Sequence, residues 1–400
     1  MPVSGPLSVE LEQRLRAVGQ AARSSEPIAG YTHTFYRYPA RFSPSFVRGA
    51  IQAFSRPGDL VLDPFMGGGT TVVEAMLLGR RAVGCDLNSL GVFVARVKLQ
   101  PLLPHEGEAI RNWVDLIVTT FSYRESSTSA DQLVCPRRTR NLSLPRARPI
   151  KKLLAFALSQ LAELPSARAR AFARCLLLNV SQWALNGRRS AVSLKLFRYR
   201  LLETAETMLA GLSEFREAID ASRYPTHAPI LIHGDSSELA AHPLLDGSRD
   251  VSLVVTSPPY PGIHVLYHRW QVDGRRETPA PYWIADCLDG RGDAFYNFAD
   301  RRLPTTDNYF DASLRALKAI RRVMRPRGVV VQLVAFSDPT NQLPRYLTTM
   351  EEAGFVELVR RTHDGRPVRV WRSVPGRRWH ADQKGETNSS REVLLVHRAL

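Results

Sequence analysis

The sequence predicts an α/β chain in which helices cover a mostly parallel sheet. Three observations carry that expectation. A short apolar strand at Leu60–Asp63, a glycine-rich turn, an apolar helix from Thr70 to Leu78 and a second strand ending at Asp86 follow one another as in a βαβ unit. Further apolar runs at Val251–Val255 and Val329–Val334 are short and bounded by turn residues, as buried strands are. The stretch between the two sets of strands is rich in Ala, Leu and Arg, and its apolar residues recur at helical spacing.

In chain order, residues 1–30 read as a short helix and a Ser/Ala/Gly-rich lead-in. An aromatic and basic stretch from Tyr31 leads into a helix from Ser45 to Phe54, with Ser43 or Ser45 as its cap and Pro44 suited to its first turn. Gly79 stops the helix of the βαβ unit before the second strand. Residues 99–227 are predicted as a helical insertion, interrupted by a basic loop from Pro136 to Arg148. Strands resume at Ile230–His233 and Val251, and a loop rich in Arg, Asp and aromatic residues spans 262–306. A helix from Asn308 to Met324, a turn at Pro326–Gly328, a strand at Val329–Val334, a helix near Leu343–Ala353 and a closing pair of strands ending at Arg391–His397 complete the chain. Three segments result: 1–98, 99–227 and 228–400.

The 400 residues are ample for a large core, and 44% hydrophobic with 23% charged residues is ordinary globular usage. The charge is not ordinary. Lys and Arg exceed Asp and Glu by 54 to 38, a net +16, which points to a polyanionic partner, nucleic acid first. The N-terminus has acidic residues where a signal peptide needs its apolar core, and no apolar run reaches membrane-spanning length. The four cysteines, Cys85, Cys135, Cys175 and Cys287, form no CxxC pair, so reduced thiols and a cytoplasmic, nucleoid-associated protein are expected.

The chemistry concentrates in two turns. In Asp63-Pro-Phe-Met-Gly-Gly-Gly-Thr-Thr71 the glycines let the backbone turn tightly and approach a ligand at a helix N-terminus. No Lys follows them, so this is no P-loop, and the spacing G-x-G-x-x-G is absent. The second strand ends in an acid, Asp86, where a carboxylate gripping ribose hydroxyls commonly sits; the half-site suits an adenosine moiety without a pyrophosphate. The other turn, Thr256-Ser-Pro-Pro-Tyr260, follows an apolar strand. Its prolines remove two N–H donors, so its oxygens are set to accept from a planar amine, with Tyr260 expected as an exposed stacking surface.

Taken together, Asp-Pro-Phe-x-Gly-x-Gly-Thr-Thr and a later Ser-Pro-Pro-Tyr resemble the amino-group DNA methyltransferases, which transfer a methyl from S-adenosylmethionine to an exocyclic amine. Tyr38-Pro-Ala-Arg-Phe-Ser-Pro44, Gly84-Cys-Asp-Leu-Asn88, His233-Gly-Asp235, Arg325–Gly328 and Glu352–Phe355 resemble that family's accessory motifs, and the likeness covers about 31–98 and 228–398. The resemblance implies a Rossmann-like methyltransferase fold, a mixed, mostly parallel seven-stranded sheet with a helical insertion. It implies cofactor contacts from Tyr38, Arg41, Phe42, Asp63, Phe65, Gly67, Gly69, Thr70, Asp86 and Asp235. Asp63 would lie near the methionine amino group, Asp86 at the ribose and Asp235 at the adenine. Ser257, Pro258, Pro259 and Tyr260 would hold the target base, which must flip out of a duplex to enter such a pocket.

In this family a Ser heading the tetrapeptide goes more often with cytosine N4 than with adenine N6, so Ser257 favours cytosine. Adenine N6, an RNA amine and a non-catalytic nucleic-acid-binding protein stay open as alternatives. The resemblance implies double-stranded DNA as partner and admits a cognate restriction endonuclease; oligomeric state is unspecified. Cytosine C5 chemistry needs a Cys nucleophile, and Cys135-Pro136 has the reverse of the usual order. The pair His264 and His268 lacks a third ligand, so no metal is expected. The basic run 136–148 and Arg372, Arg377, Arg378 and Trp379 are candidate phosphate contacts, and both the insertion and loop 262–306 are candidates for reading DNA sequence.

Overall fold

The computed structural model describes residues 7–24, 26–38, 42–124, 136–224, 227–245, 247, 249–261, 269–274, 276–287, 307–373 and 391–400. Helices α1 (Val9–Arg23) and α2 (Pro44–Phe54) lead into β1 (Leu60–Asp63), α3 (Thr70–Leu77), β2 (Arg81–Asp86) and α4 (Ser89–Leu99). The insertion holds α5 (Pro104–Thr120), α6 (Arg148–Ser159), α7 (Ala167–Leu185) and α8 (Leu194–Asp220). Strands β3 (Ile230–His233) and β4 (Val251–Thr256) follow, then a hairpin of β5 (Trp270–Val272) and β6 (Arg276–Thr278), then α9 (Ala280–Ala285). The chain continues through α10 (Asp307–Val323), β7 (Met324–Ala335), α11 (Pro339–Glu352), β8 (Phe355–Glu357), β9 (Arg360–Arg361), β10 (Pro367–Val368), β11 (Val370–Ser373) and β12 (Arg391–Ala399).

The fold is Rossmann-like. Strands β3, β2, β1, β4 and β7 run parallel in that spatial order, and β12 closes the sheet antiparallel to β7. Among the described residues the main sheet has eight strands rather than seven. Both β8 and β11 pair with the outer edge of β12, β8 at His397–Ala399 and β11 at Arg391–Leu394, so eight strands fill seven positions. Strands β1 and β4 are buried throughout because helices cover both faces. On one face Phe46, Ile51, Val72, Ala95 and Phe215 pack against Val61, Leu253 and Val331; on the other Phe310, Leu317, Ile320 and Met350 pack against Leu62, Val254 and Val330.

Two local departures from the expected elements have plain causes. The turn expected at Pro326–Gly328 is an irregularity inside β7, where Arg327 adopts φ 63° and the pairing jumps from Val251–Met324 to Leu253–Val329. Helix α11 begins at Pro339, earlier than Leu343, because Asp338 caps it by accepting from the Asn341 N–H and Pro339 suits the first turn.

The insertion and the described part of the 262–306 loop share one core. Phe172, Leu176 and Phe197 from the insertion cluster with Trp270, Tyr282 and Ile284, and with Phe35 and Tyr36. Backbone bonds fix the hairpin to the end of α7: Gly187 N–H donates to Gln271 O (2.8 Å), and Gly274 N–H donates to Arg188 O (3.1 Å). No described helix is long and apolar enough to cross a membrane.

Candidate active site

Parallel strands place the expected polar residues at one edge. Asp63, Asp86 and Thr256 end β1, β2 and β4, and Asp235 follows β3. In such sheets ligands bind beyond the carboxyl ends, where the strand order reverses, here between β1 and β4. Thr256 Oγ1 donates to Asp63 Oδ1 across that point at 2.7 Å, which fixes the second turn against the first.

The glycine loop is held from three sides. Gly67 N–H donates to Asp86 Oδ2 at 2.7 Å, and Met66 N–H to Cys85 O at 3.0 Å. The buried Lys98 ammonium of α4 donates to Gly68 O at 2.7 Å. Tyr38 lies over the loop: a Cβ on Gly67 would stand 2.9 Å from its ring. Asn88 joins the neighbours, its Nδ2 donating to Tyr38 Oη (3.1 Å) and its Oδ1 accepting from Tyr282 Oη (3.0 Å). Gly67 and Gly69 have φ 49° and 76°, and Gly69 opens α3, leaving the first N–H groups of that helix directed outward. Gly69→Ala therefore meets two penalties, the left-handed backbone and a Cβ 2.8 Å from that of Ala95. A loss of about 2–4 kcal/mol is expected in urea denaturation.

Two carboxylates face this loop. Asp86 accepts from Gly67 N–H through Oδ2 and from Asn88 N–H through Oδ1 (2.7 Å), leaving each oxygen a further lone pair for a ligand hydroxyl. Burial pushes its carboxyl up from 3.8 to about 6, against the pull of those two bonds. Burial likewise raises Asp63 to about 6 although Thr256, Thr71 and Phe65 all donate to it. Both carboxylates are short of compensating positive charge, as a site for a cationic ligand would be.

The second turn differs from expectation in one respect. Tyr260 is buried in the core with Tyr309 and Phe336, not exposed. Its hydroxyl accepts from Ser257 Oγ (2.7 Å) and donates to Glu392 Oε1 (2.6 Å), so its ring is drawn inward. Ser257 is half-buried at the strand end, and Tyr309 Oη donates to the Pro259 carbonyl at 2.8 Å. The Pro258 carbonyl accepts no hydrogen bond among the described residues.

The remaining candidates divide. Phe65 and Thr70 lie in the loop and at the start of α3; Asp235 is exposed and accepts from Ser237 N–H at 2.8 Å. Phe42 is drawn into the core against Phe46, ring centroids 5.4 Å apart, because α2 buries its aromatic face there. Arg41, Cys135, His264, His268, Arg377, Arg378 and Trp379 lie outside the described residues. Lys98, Tyr282 and Glu392 carry no motif that marks a site role in the sequence, and Arg372, expected as a candidate phosphate contact, is instead turned inward and paired with Glu392 at 2.8 Å. Gly91, Ala95 and Lys98 share the α4 face turned to the glycine loop, a spacing that could have revealed the lysine.

Residues 16–91 match the family model described as DNA methylase. The Type II methyltransferase M.MjaII of Methanocaldococcus jannaschii is 36% identical over 70 residues, 18% of this chain and 13% of that protein. The Type II methyltransferase M1.MboII of Moraxella bovis is 52% identical over 52 residues, 13% and 20% of the two chains. A tRNA (guanine(10)-N2)-dimethyltransferase of Methanothermobacter thermautotrophicus is 34% identical over 105 residues, 24% and 31%. The chain thus spans less than a third of the length of each. The cofactor implied by the matched family is S-adenosylmethionine, and the donor set fits it: lone pairs of Asp86 for ribose hydroxyls, and the desolvated Asp63 and Asp86 carboxylates for a cation.

Proposed function

We propose that this chain, whose residues 16–91 match the DNA methylase family model, transfers a methyl group from S-adenosylmethionine to N4 of a flipped cytosine in DNA. The observation that carries the reading is Ser257 at the end of β4, pinned through Thr256 and Asp63 beside the glycine loop. When bound, the cofactor supplies an activated methyl on a sulfonium. The chain's part is to orient an amine lone pair in line with that carbon and to accept hydrogen bonds that strengthen as the nitrogen becomes cationic. Ser257 Oγ and the Pro258 carbonyl are the acceptors in this reading, with Tyr309 holding the turn through the Pro259 carbonyl. Tyr260 serves through its hydroxyl, not through its buried ring.

Double-stranded DNA as partner is supported by the +16 charge and by the Type II methyltransferases among the relatives, which also make a restriction–modification setting reasonable. The reader of base sequence, in this proposal, is the joint body of the insertion and residues 269–287, whose surface carries the exposed Arg137, Arg140, Arg146 and Arg148. A second reading, an RNA amine, is favoured by the tRNA enzyme among the relatives.

The deciding measurement is nucleoside chromatography after reaction with methyl-labelled cofactor on duplex DNA and on tRNA. Label in N4-methylcytosine from DNA is expected. Label in N6-methyladenine would keep the reaction class and move the target base; label confined to tRNA would establish the second reading.

A further inference from the structure

The Ser257–Tyr260 contact does not end at Tyr260. Its hydroxyl donates to Glu392 Oε1 on β12, and the other carboxylate oxygen accepts from Arg372 Nε on β11 at 2.8 Å. Arg372 in turn donates through Nη1 to Ala22 O at the end of α1 (3.2 Å), and its guanidinium lies 5.9 Å from the Phe46 ring. The Glu392 and Arg372 side chains are 4% and 8% exposed, so the charged groups of this pair are largely withdrawn from water. A buried charged pair carries a desolvation cost that an apolar pair of similar volume would not.

We propose that Glu392 is a positioning residue that, acting through Tyr260, makes Ser257 an acceptor-only hydroxyl facing the target amine. The inference rests on the reading of Ser257 as the amine acceptor. The proton positions are set from the charged end outward. A carboxylate ion-paired to Arg372 has no proton to give, so the Tyr260 hydroxyl must donate to it. With its proton committed, Tyr260 can only accept from Ser257, which commits the single Ser257 proton inward. Both Ser257 lone pairs are then left to accept from the amine, and the hydroxyl cannot turn to donate to the nitrogen lone pair that must attack the methyl carbon. A serine not tied this way can donate as readily as accept, and would present the wrong dipole to an amine part of the time.

Two conservative substitutions separate this role from mere packing. Tyr260→Phe keeps the ring in its core and removes only the relay hydroxyl; Glu392→Gln keeps shape but lets the terminal group donate. Turnover on duplex DNA should fall roughly tenfold in each at saturating cofactor, the scale of one hydrogen bond, with the cofactor dissociation constant within about twofold of wild type. The discriminating readout is coupling. In a Ser257→Ala background neither substitution should slow turnover further, because the hydroxyl they orient is gone. Should Glu392→Gln not fold, the Tyr260→Phe cycle alone decides. Losses that add in the double variants, full turnover in Tyr260→Phe, or losses seen only as weaker cofactor binding would each overturn the proposal while leaving the acceptor turn standing. Wild-type turnover in Ser257→Ala alone would overturn both.

Discussion

Asp86→Ala is expected to weaken S-adenosylmethionine binding roughly 10- to 150-fold, the equivalent of ~1.5–3 kcal/mol for charge-assisted hydrogen bonds, while duplex affinity stays near wild type. The reason lies in how the carboxylate is presented. Gly67 and Asn88 hold its two oxygens through backbone N–H groups, so its remaining lone pairs are aimed before any ligand arrives, and little ordering is left to oppose binding. Removing it also frees the Gly67 N–H, so Asp86→Asn, which keeps one oxygen acceptor, should lose less. Calorimetric titration with cofactor, alongside a duplex-binding assay, checks the contrast. Equal losses in both affinities would mean that the strand end supports the fold and not the cofactor.

A pH dependence follows from the same carboxylates. Burial raises Asp86 and Asp63 to about 6, above the ordinary 3.8. A folded-state value above the unfolded one means that folding takes up protons between about 4 and 6. Ionising these groups therefore lowers stability as pH rises through that window. Cofactor binding has the opposite sign, because ligand hydroxyls and a cation need the ionised form. Affinity should be level above pH 7 and decline below about 6, and Asp86→Asn should remove its share of that decline.

How much of this was legible in the sequence depends on how far apart the interacting residues lie along the chain. Leu60–Asp86 is a local device: an apolar strand, glycines that adopt φ 49° and 76° without the cost a side chain would bring, a helix and an acid, all specified by neighbours within one βαβ unit. The same holds for Ser257 and its prolines, whose loss of N–H donors is intrinsic to residue type. Tyr260 was misjudged as exposed because an aromatic after a Pro-Pro turn carries no local sign of burial. The group that draws it inward, Glu392, is 132 residues on, directly before the apolar run Val393–Val396 of its strand. Lone acids in such strands are a usable sign, since burial without a partner is too costly to be tolerated. Phe42 is the opposite case, since its burial is legible locally. It belongs to a motif implied by resemblance to contact cofactor, yet the aromatic spacing of Phe42 and Phe46 on α2 and its approach is that of a buried helix face. The union of the insertion with residues 269–287 could not be read either, because Gly187 and Arg188 meet Gln271 and Gly274 through backbone bonds that side-chain patterns do not encode, and Asn186 Oδ1 adds one acceptor for the Gln271 N–H.

Ser257→Ala is expected to lower turnover on duplex DNA by about 10²- to 10³-fold, the scale on which loss of one aimed dipole at a developing charge is felt in a site closed to water. Before reaction the cytosine amine is neutral and a weak donor, so losing the acceptor should change the duplex KM little. As nitrogen takes the methyl it becomes cationic, and the bond to Ser257 Oγ strengthens where the barrier is highest, so the loss should fall on kcat. The cofactor dissociation constant should stay near wild type, since Asp86 and Gly67, which meet on the other side of the glycine loop, are untouched. Some activity should survive, because the Pro258 carbonyl remains as a second acceptor. Single-turnover transfer of labelled methyl at saturating cofactor, measured across duplex concentrations, separates these terms. A defect confined to KM would make Ser257 a ground-state contact to the base, and a defect confined to cofactor affinity would place it on the wrong side of the site.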